Sequence, residues 1–324
     1  MRRWLTDATT ASRLISDRPQ LWVSGGLAWA ASVGPFVLLA AVVSAPAVSE
    51  LSSLGARAYV SSAWPWNVVA LGVVLGVLLL LALGLVALAD VALLGGEGHG
   101  ADGGTTVLRS FAVTLVGALP ALATVAATLV ALAGVARDEF ISPDTSVGGP
   151  LLRTAVRVSP LLALLVIAAM LGGTYATAAR VLVVRHGAGV RHALARAPRL
   201  LAAAGPSTIA QLFVTFIAWV AYMAIAIVLL RVLWDPIGLQ LADGAGFGPA
   251  QGALLVGFVA IWLCLVLGGG ALHAWASVSW ARILSGTAGI GSAGIVGTRE
   301  APNEHRSARD AEEHDDGMSR DLLA

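Results

Sequence analysis

Six long apolar blocks interrupt this sequence, and they restrict its fold more than any other feature. Each holds about 20 or more mainly apolar residues, roughly the length that a helix needs to cross the ~30 Å hydrocarbon core of a bilayer. They lie at about 20–44, 65–91, 107–135, 155–184, 207–233 and 252–284. The blocks are continuous rather than alternating, which predicts helices, because a lone spanning segment must satisfy its backbone hydrogen bonds internally.

The composition agrees with this interpretation. Apolar residues make up 57% of the chain and charged residues only 12%, a balance that an ordinary globular domain does not have. We therefore predict an all-α polytopic membrane protein with six transmembrane helices. The single cysteine, Cys264, lies in an apolar block and excludes an intrachain disulfide.

The arginines are distributed unequally between the two predicted sides of the membrane. One side holds eleven of them outside the C-terminal tail and the other side holds five. Because short cytoplasmic loops carry the excess of basic residues, both termini are predicted to be cytoplasmic. The expected location is the cell (cytoplasmic) membrane, with multiple crossings.

Three related strings recur at the ends of the even-numbered blocks. They are VALADVALLGGEG at 86–98, ATAARVLVVRHGAG at 176–189 and SVSWARILSGTAG at 277–289. Two crossings separate successive strings, so the predicted units share one orientation, with a pseudo-symmetry axis along the membrane normal. The sequence thus predicts three parallel helical hairpin repeats.

Polar segments flank the predicted membrane domain, which covers residues 20–285. In the lead-in 1–19, Leu5, Ala8, Ala11 and Ile15 recur at helical spacing, which predicts a short amphipathic helix on the cytoplasmic surface. Eight acidic residues against four arginines in 299–324 predict that 286–324 is a disordered acidic tail.

Matching positions of the three strings carry charged residues: Asp90, Arg180 and Arg282. If the three helix ends converge, one acid faces two bases, and an interhelix charge cluster would offset the cost of holding these groups near the membrane. Simple exposure at the interface and a role in transport or gating are the alternatives.

Two further polar residues fall inside apolar blocks. His273 precedes Arg282 by nine residues, so it lies about 13 Å deeper along a helix. Together with Gln211 it marks a candidate intramembrane polar site, although a single histidine inside a membrane is more often a hydrogen-bonded packing residue. The segment GVVLG at 72–76 has small residues at a spacing that predicts a close helix contact.

The densest basic cluster follows the fourth block. Its arginines are Arg185, Arg191, Arg196 and Arg199. We predict that they bind anionic lipid headgroups or a partner protein, because each basic side chain near an anionic surface contributes about 1 kcal/mol. The cluster lacks the aromatic residues and the higher positive charge that would indicate nucleic-acid binding.

Two short catalytic patterns fail on context, and a third is missing. Arg185-His186-Gly187 matches the histidine phosphatase triplet but ends an apolar block instead of a strand, and GIGSAG at 289–294 follows a transmembrane block instead of a βαβ strand. The zinc motif H-E-x-x-H is absent. We therefore expect no catalytic residue, no metal site, no cofactor and no enzymatic activity.

The layout resembles a known group of proteins. The six blocks, the paired lead-ins RPQL and APRL, and the arginine-rich even ends resemble uncharacterised prokaryotic six-helix membrane proteins, similar to the membrane domain that precedes some glycerophosphoryl diester phosphodiesterases. The resemblance covers about residues 5–285. No phosphodiesterase catalytic domain follows in this sequence, so the resemblance does not imply that activity here.

Two functions remain open at this point. The first is a non-enzymatic structural or accessory membrane protein, whose basic cytoplasmic face binds anionic lipid or a membrane or cytoplasmic protein. The alternative is a small-solute or lipid permease with a path between the hairpins. A polar cavity near His273 or Gln211 would favour the permease.

Overall fold

A computed structural model describes residues 2–43, 60–63, 66–95, 103–141, 150–242 and 248–293 of the chain. These described residues contain helices and no strands. In chain order the helices are α1 (Arg2–Asp17), α2 (Gln20–Ser32), α3 (Gly34–Val42), α4 (Trp66–Gly95), α5 (Gly103–Ile141), α6 (Pro150–His186), α7 (Val190–Ala204), α8 (Pro206–Ala242) and α9 (Pro249–Ala293). The predicted all-α class is confirmed.

Five described helices, α4, α5, α6, α8 and α9, are long and apolar enough to cross a bilayer. Their surfaces carry many exposed leucine, valine and isoleucine side chains, as hydrocarbon surroundings require. A sixth crossing exists if α2 and α3 together count as one span. The protein is thus a multi-pass membrane protein, with five or six candidate spanning segments among the described residues.

The first predicted span is bent. Helices α2 and α3 meet at an angle of 56° around Val33. Pro35 stands in the first turn of α3, where its ring cannot fit against the carbonyl of a continuing helix. The Ser32 hydroxyl also donates to the Ala28 carbonyl, a bond that favours bending. The sequence predicted one helix here because an apolar block shows no break in its hydropathy at a proline.

The amphipathic lead-in folds as α1, and its apolar side packs on protein. Ala11 and Ile15 are buried in a cluster with Leu93 of α4 and with Ala274 and Val278 of α9. Two indole groups attach the helix further: Trp22 donates to the Ile15 carbonyl at 3.0 Å and Trp275 to the Ala8 carbonyl at 3.4 Å. Of the predicted apolar face, Leu5 is exposed and the other three members are buried.

Close helix packing occurs at glycines other than those at 72–76. A Cβ at Gly72 or Gly76 would meet nothing within 4 Å. At Gly25 it would collide with the backbone of Gly270, which brings α2 against α9. Gly117 and Gly172 bring α5 against α6 in the same way, without room for a side chain between the backbones.

The bundle has one end that is defined by α1, which we call the α1 end. The last turn of α4, at Leu93, and the part of α9 around Ala274 and Val278 meet α1 there. Arg185, at the end of α6, donates to Ser285 of α9 at 3.3 Å. The compact unit that contains these contacts ends at Ser285. Helix α9 continues to Ala293, and the remainder of the predicted acidic tail, 294–324, lies outside the described residues.

Candidate functional site: a buried charge cluster beside a cavity

Asp90 is the most deeply buried carboxylate of the described residues, with 2% of its surface exposed. It lies on α4, five residues before the helix ends at Gly95. Its neighbours Ala87, Ala89 and Leu93 are buried as well, because this part of α4 enters the bundle. A charged oxygen pair in such a setting needs compensating partners.

Arg180 of α6 is the partner of opposite charge. Its Nη1 forms an ion pair with Oδ2 of Asp90. Two contacts within α6 hold the guanidinium: Nη2 donates to Thr177 Oγ1 at 2.9 Å and Nε lies 3.4 Å from the Ala176 carbonyl oxygen. The spacings of three and four residues place all these groups on one face of the helix. Helix α6 therefore presents Arg180 in a defined position toward α4.

Helix α9 supplies the partners of the second carboxylate oxygen of Asp90, Oδ1. Nε2 of His273 lies 3.0 Å from Oδ1 of Asp90, and the Ser277 hydroxyl donates to the same oxygen at 3.4 Å. The imidazole also makes an edge-to-face contact with the Trp219 ring of α8, with centroids 6.2 Å apart. Asp90 thus connects α4 to both α6 and α9, and we name Asp90, Arg180, His273, Ser277 and Thr177 the charge cluster.

The charges of this cluster balance. Asp90 carries one negative charge, Arg180 one positive charge, and both are buried. An isolated ion at this position would pay a desolvation penalty of several kcal/mol, which a close counter-ion and further hydrogen bonds offset. The paired arrangement explains how two ionisable side chains can lie inside an otherwise apolar bundle.

A cavity of about 540 Å³ opens directly beside the cluster. Its walls are segments of α6, α8 and α9, together with Ser32 and Val33 at the bend of the first span and Val86 of α4. Arg180, Thr177, His273 and Ser277 face it. The volume lies in the range of about 300–1,000 Å³ that small-molecule sites occupy, and such sites combine apolar walls with a few convergent polar groups.

Arg282, which the sequence predicts beside Asp90 and Arg180, lies elsewhere. Its Nε is 3.9 Å from Oδ1 of Asp7 in α1. His273, nine residues earlier on α9, takes the place beside Asp90. Because nine residues of helix correspond to about 13 Å, the matching of the three strings does not carry over to equal depth on α9. The expected meeting of one acid with two arginines is therefore wrong for Arg282.

Gln211 is completely buried on α8. Its Oε1 accepts a hydrogen bond from the Trp4 indole of α1 at 2.9 Å, and its Nε2 donates to Thr215 at 3.1 Å. Thr215 in turn lines the cavity. The sequence groups Gln211 and His273 as one polar site. In the structure they have different partners: Gln211 bonds to Trp4 of α1, and His273 contacts Asp90 in the charge cluster.

The predicted basic cluster is divided between two settings. Arg185 is partly buried and bonded to Ser285. Arg191, Arg196 and Arg199 are exposed on α7, whose other face buries Ala193, Ala197 and Leu200. Tyr175 of α6 donates to the Leu194 carbonyl at 2.9 Å and fixes α7 beside α6. Three arginines are thus presented on the outer face of a helix at the α1 end.

Sequence reasoning did not single out Thr177, Ser277, Trp219 or Trp4. Thr177 and Ser277 stand three residues before Arg180 and four residues after His273, so helical spacing alone would have identified them as neighbours on the same faces. Trp219 and Trp4 come from other helices, and no local pattern indicates their contacts. Within the described ranges, no group of three metal-ligating side chains comes together.

Comparisons with protein-family models, with curated proteins and with solved structures find no match to this chain. The resemblance to the membrane domain of glycerophosphoryl diester phosphodiesterases stays a prediction.

Proposed function

We propose that this protein is a permease for a lipid-like amphiphile, the second of the two functions that the sequence leaves open. The observation that carries the proposal is the cavity, which combines a long apolar wall with a polar group of side chains at one end. A tightly packed apolar centre would have offered no place for a transported molecule.

The position of the cavity supports a membrane-derived substrate over a water-soluble one. Val166 of α6 and Val220 of α8 both line the cavity and are 44% and 50% exposed. In a membrane protein such exposure means contact with hydrocarbon. An amphiphile can therefore reach the cavity from within the bilayer, between α6 and α8, without crossing the basic surface at the α1 end.

Movement of lipid is the direct test of this proposal. The protein is reconstituted into vesicles with a fluorescent lipid analogue in both leaflets, and a membrane-impermeant reductant bleaches the outer leaflet. We expect that protein vesicles lose the protected fluorescence and that protein-free vesicles retain it. Ala169→Phe, which fills the cavity, should suppress the loss, whereas Ala163→Phe on the same helix but outside the cavity should not. Equal bleaching in all vesicles would contradict the proposal.

A second candidate function rests on α7. The exposed arginines Arg191, Arg196 and Arg199 favour an accessory protein that associates with anionic lipid. Replacing all three with glutamine should lower the affinity for phosphatidylglycerol by roughly fivefold per arginine, which is measured from the lipid retained over a series of detergent concentrations. Replacement with lysine keeps the charge and should keep the lipid. Unchanged retention in the glutamine variant would remove this candidate.

We also propose an orientation of the protein in the membrane and an internal repeat of hairpins. Eleven arginines against five favour a cytoplasmic α1 end in the cell membrane. Amphipathic helices α1 and α7 precede α2 and α8, which supports a relation between the first and third of the three predicted hairpins. A cysteine at the exposed Ala195, in a Cys264→Ser background, should react with an impermeant maleimide in inverted vesicles only. Labelling in intact cells would show that the α1 end faces the opposite side of the membrane.

A further inference from the structure

We infer that the cavity binds a single-chain amphiphile with a small, uncharged, hydrogen-bonding head group, and that this head lies against the charge cluster. The inference rests on the proposed function, since it names the class of molecule that the same cavity takes. Four properties of the cavity lead to it: its length, its polarity, its charge and its direction in the bundle.

The residues that line the cavity extend over a long distance along two helices. On α6 its lining extends from Val166 to Arg180, which is about 21 Å along a helix. On α8 it extends from Leu212 to Met223, about 16 Å. A volume of about 540 Å³ distributed over such a length fits one extended chain better than a compact ligand or a two-chain phospholipid.

Polar and apolar groups occupy opposite ends of this space. Thr177, Arg180 and Ser277 lie at one end. Val166, Met170 and Met223 lie at the other, and the methionine side chains adapt readily to an apolar chain. An occupant with one polar end and one apolar end places its polar groups against polar side chains and its chain against apolar ones.

The charge of the wall selects against an ionised head group. Arg180 faces the cavity, but its counter-ion Asp90 lies directly behind it, and His273 contacts the same carboxylate. Both hydroxyl protons are used within the protein, by Gly173 for Thr177 and by Asp90 for Ser277. The cluster therefore offers the lone pairs of these two hydroxyl oxygens and the remaining N–H groups of Arg180, without a net charge. A hydroxyl or ester head satisfies these groups, whereas a phosphate would bring a negative charge that has no free counter-ion.

The direction of the cavity matches a lipid of one leaflet. Arg180 lies about 9 Å from the end of α6 at His186, and Val166 lies about 30 Å from it, near the middle of that helix. The polar end therefore points toward the α1 end and the apolar end toward the centre of the bundle. A lipid from the leaflet at the α1 end has the same orientation and can enter between Val166 and Val220 without turning over.

Fluorescence of Trp219 and Trp280, which both line the cavity, supplies the measurement. The full-length protein in bilayer discs is titrated with two probes that share one bromine-labelled chain: a monoacylglycerol, which is neutral, and the corresponding lysophosphatidic acid, which is anionic. Bromine quenches a nearby indole. We expect the neutral probe to quench saturably. The anionic probe should either not saturate or reach half-saturation at an about tenfold higher mole fraction, because its charge must be desolvated without a partner.

Matched variants identify the cavity as the source of the signal. Ala169→Phe should remove the saturable part of the quenching and leave the linear part that comes from surrounding lipid. Ala163→Phe, on the same helix outside the cavity, should retain both parts. Equal or tighter binding of lysophosphatidic acid, quenching that never saturates, or saturation that persists in Ala169→Phe would overturn the inference.

The outcome separates this inference from the proposed function. Saturable neutral-probe binding without accelerated lipid movement would leave the binding class standing and remove the permease. Lipid movement with a preference for the anionic probe would do the reverse.

Discussion

Two ion pairs of this protein put the same two residue types in opposite settings. Arg180 and Asp90 join α6 to α4, and their side chains are 11% and 2% exposed. Arg231 and Asp235 are four residues apart on α8, joined at 2.8 Å, with side chains 36% and 54% exposed. The first pair connects helices inside the bundle, and the second lies along the surface of a single helix.

The difference shows where charge determines structure in this chain. Each member of the inner pair is desolvated, so loss of one leaves the other buried without compensation. Members of the outer pair can be solvated when they separate, and their attraction is weak and screened by salt. Arg231 also donates to the Val43 carbonyl at the end of α3, at 2.9 Å, so Asp235 is the member whose replacement isolates the outer pair.

The largest effect is expected from Arg180→Met. This change leaves the Asp90 carboxylate buried with only the His273 and Ser277 contacts, and it should lower the free energy of unfolding by about 3–5 kcal/mol. Denaturant titration of the detergent-solubilised protein, followed by circular dichroism, measures the loss. A loss below about 1 kcal/mol, the size of a surface pair, would show that the two settings do not differ as described.

A double variant serves as the control for this result. Asp90→Leu combined with Arg180→Met removes both charges, and apolar replacement of a whole buried pair is often tolerated. The double variant should therefore be more stable than Arg180→Met alone. Additive losses would indicate that packing, and not charge, explains the single variant.

A smaller effect is expected from His273→Leu. Asp90 keeps its ion pair and loses the 3.0 Å contact to the imidazole, which should cost about 1–2 kcal/mol for a hydrogen bond between membrane helices. His273→Gln, which can still donate, should recover part of the loss in the same titration. Equal losses in both variants would assign the effect to the Trp219 contact instead.

The smallest effect is expected from Asp235→Asn. Because this pair lies at the surface of one helix, the free energy of unfolding should fall by no more than about 0.5 kcal/mol, and added salt should reduce the difference further. Thermal unfolding at low and high ionic strength gives both values. A loss comparable with that of Arg180→Met would mean that the outer pair is buried in the membrane-embedded protein.

Hydropathy was sufficient to find the helices of this chain because the cost of unpaired backbone groups in hydrocarbon leaves few other structures. It was not sufficient for their ends. Helix α8 continues to Ala242 and α9 to Ala293, each nine residues past the predicted end of its apolar block, at 233 and 284. It also gave no warning of the bend at Val33, since the angle there depends on how Pro35 and Ser32 meet the neighbouring turn.

The candidate site was predictable only in part. Asp90, Arg180 and His273 stand out as ionisable residues in apolar blocks, which is a local property. Their pairing is not local: alignment of the repeated strings put Arg282 beside Asp90, yet His273 lies there and Arg282 approaches Asp7. A shift of one helix along its axis changes every such pairing and leaves the sequence pattern unaltered.

The sequence by itself determined that the chain contains long apolar helices that need a membrane around them. Each block must form its own backbone hydrogen bonds, and its apolar side chains must be kept out of water. Only the tertiary structure decided which polar side chains of different helices meet, since those contacts join residues that stand 90 to 275 positions apart. The cavity belongs to the same level. It exists because α6, α8 and α9 leave space beside Arg180 and His273, and no single helix carries the information for a space between helices.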